Sequence, residues 1–208
     1  MTTCYKLTRR DNTTYNKCLW GEDVTHETSG EGGLCSSGWL HAYQHPLIAV
    51  FMNPIHAKVK NPKLWECIGD GKYLDDRGLK CGFTRLTTVK EISLPEVSAT
   101  QRVAFAILCA KEVCKDPEWS AWADNWLSGK DRTRESARAA ARAAAREDLS
   151  PGAAADAAER SAWTAVGAAD AVVWAAEVSA WAARAADLAA NSEADIDLVR
   201  IAKKAMEY

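Results

Sequence analysis

The chain has 208 residues, of which 26 are Lys or Arg and 28 are Asp or Glu, and 48% are hydrophobic. That length is enough to bury a real core as one large domain or two small ones, and the near balance of charge excludes an overall field drawing the protein to nucleic acid or anionic lipid. The first residues, MTTCYKLTRRDNTTYNK, are polar where a secretory leader needs an apolar segment, and no run approaches 18 apolar residues without a charge. A soluble, cytoplasmic protein without a membrane partner is therefore expected.

The first part of the chain reads as short strands separated by turn chemistry. TCYKLTR is a β-type run ended by Arg10-Asp11-Asn12, and SGEGG at 29–33 is a loop. WLHAY reads as a strand with Trp39, His41 and Tyr43 on one face and Leu40 and Ala42 on the other. Pro46 suits the first position of a short helix that stops before Asn53-Pro54, with His45 as its cap. KLWECIG and LKCGFTRLTTVKEISL are rich in β-branched and aromatic residues, and GDGKYLDDRG between them supplies a turn. Residues 1–97 are thus expected to form a mostly antiparallel β domain with one short helix.

Residues 98–208 read as an alanine- and tryptophan-rich helical domain, which makes the fold class α+β. The expected helices are 98–114, capped at Ser98 or Thr100, then 117–128 after Asp116-Pro117, then 130–149, 153–190 and 193–207. Trp119, Trp122 and Trp126 share one helix face. Trp163, Trp174 and Trp181 are 11 and 7 residues apart. On one continuous helix these return to within about 20° of a common direction. Such a stripe among alanines is read first as packing surface, against the Trp119 face or a second copy, with a ligand-stacking platform as the alternative.

Arg134, Arg138, Arg142 and Arg146 recur every fourth residue, an arrangement that otherwise marks anion or nucleic-acid binding. Residues 130–149 carry a balance of plus two and 153–190 of minus three, so a turn at Ser150-Pro151-Gly152 is expected to pair these helices with complementary charge rather than with nucleic acid.

Three of the four histidines and a cysteine fall within CSSGWLHAYQHPLIAVFMNPIHA at 35–57. Cys35, His41 and His45, with Cys18, His26, His56 or Cys81, have ligand types that suit zinc, but no C-x-x-C or helical H-x-x-x-H pair is present, and neither a metal nor a cofactor is expected. A Cys/His nucleophilic pair is a further alternative, and His41 is read as a buried, hydrogen-bonded core histidine. Seven scattered cysteines in a cytoplasmic protein are read as reduced thiols.

CYKLTRRDNTTYNKCLWG, VTHETSGEGGLCSSGWLHAYQHPLIAVFMNPIHA, LWECIGDG, LKCGFTRLTTVKEISLP and RVAFAILCAKEV resemble an uncharacterised family of phage, prophage and bacterial proteins, over roughly residues 3–127. Its members join a similar amino-terminal domain to repetitive tails. The resemblance implies a mobile-element setting in a bacterial host and a modular build. It carries over no catalytic residue.

Two function classes follow. The first is a non-enzymatic accessory protein that works by binding or assembly, as a homo-oligomer or with a host or phage partner, a role against host defence fitting the setting. The second is an enzyme of the ADP-ribosyltransferase type, because a polar strand, GWLHAY and a short helix containing LIAV are similar to NAD-binding cores. Arg9, His41, Tyr43 and Glu91 or Glu96 are its candidates, although a Glu-x-Glu signal is missing and Pro95 interrupts the acidic cluster.

Overall fold

A computed structural model describes residues 1–145, 152–169, 175–192 and 194–208. The fold is α+β, and the chain divides into two compact units, Met1–Glu96 and Val97–Tyr208.

The first unit holds strands β1 (Thr2–Thr8), β2 (Val24–Glu27), β3 (Leu40–Ala42), β4 (Lys63–Asp75) and β5 (Cys81–Ile92), and helix α1 (Pro46–Met52). All pairings are antiparallel: β1 with β4, β4 with β5, and both β3 and β2 along the other side of β5. One residue beyond β3, Tyr43 exchanges two backbone hydrogen bonds of 2.8 Å with Tyr5 of β1. The path β1–β4–β5–β3–β1 therefore closes on itself as a small barrel.

Alternation along β1 sends Cys4, Lys6 and Thr8 to the inside of this ring, opposite Cys67, Trp65 and Lys63 of β4. Leu7 and its partner Leu64 face the other way and are buried, and α1, with every residue after Pro46 buried, packs on β1. His45 caps α1, its Nδ1 accepting from Leu47 N at 3.2 Å.

GDGKYLDDRG is not a turn throughout. β4 runs on through Gly69 and Gly71 to Asp75, and only Asp76–Lys80 turns, closed by a hydrogen bond from Asp76 N to Lys80 O. The glycines belong to the strand. A Cβ at Gly69 would lie 2.5 Å from the Phe83 ring, and Gly71, at φ +77°, sits where the β4–β5 register slips between Asp70 and Tyr73. A slip of this kind bends long strands enough for a small ring to close.

The second unit is helical: α2 (Ala99–Val113), α3 (Pro117–Leu127), α4 (Arg134–Ala144), α5 (Ala153–Ala169), α6 (Ala175–Ala190) and α7 (Leu198–Ala205). α2 starts in a capping box between Ser98 and Gln101 and packs against α3, α5, α6 and α7. Trp119, Ala123, Val103, Phe105, Ile107 and Ile201 are at its buried centre. α4 presents Ala137, Ala140, Ala141 and Ala144, spaced i, i+3, i+4 and i+7, and packs on α3 and α5. Small side chains let helix backbones approach closely, and these alanines suit the packing of α4 on α5.

Three expected helices are corrected. The helix expected over 130–149 starts only at Arg134, because Asp131 accepts from Thr133 N and Oγ1 and Thr133 then caps Ser136 N; residues 146–149 lie outside the described residues. The helix expected over 153–190 is two, α5 and α6, which pack side by side as two halves of one straight helix could not. The last begins at Leu198 rather than 193, set by Asp197 accepting from Arg200 N at 2.9 Å.

Candidate functional site

The chemistry-bearing groups of the first unit gather around Lys6. Strand alternation commits this lysine to the barrel interior, where it is 7% exposed. Its Nζ donates to the carbonyl oxygen of His41 at 2.8 Å and lies 4.4 Å from the centre of the Trp20 ring. No carboxylate pairs with it among the described residues. Its chamber is lined by Cys4, Trp20, Leu40, Ala42, Trp65, Cys67, Cys81 and Phe83. Burial pulls the Lys6 ammonium below its usual value and pushes the thiols of Cys4 and Cys81 up to about 12, with Cys67 raised as well.

At the rim, residues 9–20 form a loop bonded to itself. Arg9 N donates to Thr13 O at 2.9 Å, Thr14 N to Cys18 O at 2.9 Å and Trp20 N to Asn12 O at 2.8 Å. Side chains reinforce it: the Arg9 guanidinium reaches Thr14 O at 2.5 Å, Asp11 accepts from Thr13 N at 3.0 Å, and Trp20 Nε1 donates to Thr14 Oγ1 at 3.0 Å. Asn12, Asn16 and Lys17 hold positive φ of 63°, 55° and 57°. A non-glycine residue there costs about 1–2 kcal/mol, least for Asn, which the surrounding bonds offset. The loop presents Tyr15, 82% exposed, and Leu19, 59% exposed. Behind them Cys18 Sγ lies 3.5 Å from His26 Nε2, which also contacts Leu19 O at 2.8 Å, and the His26 ring meets Trp20 edge-on at 4.5 Å.

Arg9 and Glu91 each have their own local partners, while His41 and Tyr43 lie two residues apart at the β3 seam. Arg9 braces the 9–20 loop, and Glu91 is exposed and pairs with Lys63 at 3.1 Å. Tyr43 is buried at the barrel seam and stacks on His56 at 6.3 Å. Glu96 is exposed at the end of the unit. His41 is hydrogen-bonded, to Leu34 O, but it is exposed rather than buried, because β3 sends Leu40 and Ala42 inward and His41 to the other face. Cys18 and His26, weighed from sequence only as zinc ligands, are instead a contacting pair. Among the described residues no group of three or more His, Cys, Asp or Glu side chains is placed to hold a metal ion, and all seven cysteines are free thiols.

Lys6 was hidden from sequence reading. In TCYKLTR both alternating faces carry apolar side chains, so period alone leaves open which is inside. The closing Tyr5–Tyr43 bridge decides it.

In the second unit, Trp119, Trp122 and Trp126 are buried, and Trp119 Nε1 donates to Ala158 O of α5 at 3.1 Å. Trp163 and Trp181 are half-buried, and Trp163 Nε1 bonds Glu159 of its own helix at 3.1 Å. The expected stripe on one helix is overturned: the 18-residue phase from Trp163 to Trp181 does not survive the separation into α5 and α6, and alanines take the buried faces. Trp174 lies outside the described residues. In the arginine row, Arg134 and Arg138 are half-buried and Arg142 is exposed, while Arg146 lies outside the described residues. A groove of about 290 Å³ between α3 and α4 is lined by Trp122, Glu118, Asn125, Asp131 and Ser136, not by arginine.

Among the described residues no helix is long and apolar enough to cross a membrane. Comparison of the chain with protein-family models, curated proteins and solved structures gave no match in any of the three.

Proposed function

We propose that the protein is a non-enzymatic accessory factor of a phage or mobile element, acting in the bacterial cytoplasm by binding a host or phage protein through the loop at 9–20. The observation that carries this reading is the pair Tyr15 and Leu19, 82% and 59% exposed on a loop whose backbone is bonded into one shape. Exposed large apolar side chains on a pre-shaped loop bind with little further loss of conformational entropy, and tyrosine is among the residues that dominate interface energies. The resemblance to phage and prophage proteins supports the setting.

The full-length protein and its Tyr15→Ala, Leu19→Ala double variant are compared for capture of host and phage proteins, and the parent is titrated with NAD by calorimetry. A stoichiometric partner retained by the parent and lost by an equally stable double variant is expected, with no heat from NAD. Equal capture by both forms, or saturable NAD binding, overturns the reading.

A further inference from the structure

We infer that Cys18 is a nucleophilic thiol that His26 and Lys6 prepare for exchange with low-molecular-weight disulfides, making the base of the loop an S-thiolation site. The inference stands apart from the recognition role of Tyr15 and Leu19.

Access separates the cysteines first. Cys4, Cys67, Cys81, Cys109 and Cys114 are buried, whereas Cys18 is half-buried at the rim and Cys35 is exposed. Of these two, Cys18 has the imidazole, while Cys35 has the Lys80 ammonium in hydrogen-bond contact. His26 Nε2 donates to Leu19 O at 2.8 Å, so this nitrogen carries its proton, and the same nitrogen lies 3.5 Å from Cys18 Sγ. A thiolate formed at Sγ shares that donor with Leu19 O.

The second contribution is charge. Lys6 and His26 both pack on the Trp20 ring, at 4.4 and 4.5 Å, which brings a buried ammonium without a carboxylate partner among the described residues to within one indole of the imidazole. Cys18 lies within its field. A positive charge in an apolar chamber is weakly screened.

In the exchange the Cys18 thiol gives its proton to solvent and its sulfur attacks one sulfur of the disulfide. A new S–S bond forms at Sγ, the reagent's own S–S bond breaks, and the departing thiolate takes up a proton. Cys18 is oxidised and the departing half is reduced.

The test incubates the full-length protein with oxidised glutathione under native conditions, stops the reaction with acid and maps the modified peptides over time. Cys18, with the imidazole beside it, is expected to be thiolated ahead of the more exposed Cys35. His26→Gln, a change at a half-buried position, should slow Cys18 toward the rate of Cys35 and leave Cys35 unchanged. Lys6→Met should slow Cys18 as well, and where that variant does not fold the His26→Gln comparison decides. Thiolation of Cys35 ahead of Cys18, or an unchanged Cys18 rate in His26→Gln, overturns the inference.

Discussion

Lys6 Nζ donates to the carbonyl oxygen of His41 at 2.8 Å across the seam between β1 and β3. That seam has a single ladder pair, Tyr5 with Tyr43, and alternation turns the carbonyl two residues back from Tyr43 toward the same gap. The ammonium supplies a donor where the ladder lapses.

Replacement of Lys6 separates stem from charge. Lys6→Ala removes the packed stem and leaves the His41 carbonyl without this donor, and should lower stability by about 2–4 kcal/mol. Lys6→Met restores the packing and removes a buried charge, so it should lie closer to the parent. Urea denaturation of the two variants measures the difference; equal midpoints would show that the stem contributes nothing.

Alkali should unfold the protein through its thiols. Burial raises the Cys4, Cys67, Cys81 and Cys109 thiols above 9.0, so in the folded state they keep protons that the unfolded chain gives up. Their contribution is complete below pH 9 and is lost as pH rises toward 12, by about 1.4 kcal/mol per pH unit for each thiol. Lys6, lowered by burial, opposes this as one group against four, up to pH 10.5. Urea midpoints should therefore fall between pH 9 and 11, and Cys109→Ala should flatten the fall.

Acid acts at His56, which burial brings down to about 4 from 6.5. Its folded form stays neutral while the unfolded chain takes up a proton, so stability present above pH 6.5 is lost as pH falls through that window. The loss should be about 1–2 kcal/mol once solvent screening is allowed for. His56→Gln should remove this part of the profile between pH 6.5 and 4. A variant that keeps the full slope would place its origin elsewhere.

The indoles of the helical unit should differ sharply. Trp119 is fully buried and bonded to Ala158 O, so Trp119→Ala should cost about 3–5 kcal/mol, while Trp119→Phe should cost about 1–2 kcal/mol, since Ser161 Oγ still donates to that carbonyl. Half-buried Trp163 should cost less than about 1.5 kcal/mol as alanine. Thermal unfolding of the three variants orders them, and a Trp163→Ala loss as large as that of Trp119→Ala would contradict the buried alanine face.

Gly69→Ala tests the bend in β4. The added carbon meets the buried Phe83 ring, which has no room to withdraw, and the overpacking should cost about 1–3 kcal/mol. A neutral effect would mean that the strand can straighten there.

Signals that act over a few residues were legible in the sequence, because their energies are local. Ser98, one of two expected caps, Asp116 before Pro117, and His45 before Pro46 mark helix starts by hydrogen bonds to backbone within three residues, and each is found in place. The change near residue 97 from β-branched to alanine-rich sequence reflects the same short-range preferences, and with them the α+β class. Tertiary structure decided whatever depends on closure. Which face of TCYKLTR is inside, and hence that Lys6 is buried among thiols, follows from Tyr5 meeting Tyr43, 38 residues away along the chain. That Cys18 lies against His26 follows from a loop held by bonds between Arg9 and Trp20. That Trp163 and Trp181 share no stripe follows from α5 and α6 packing side by side, since helical phase counts residues only while one helix continues. Periodicity reports which residues share a face; only the contacts made by distant segments determine what that face meets.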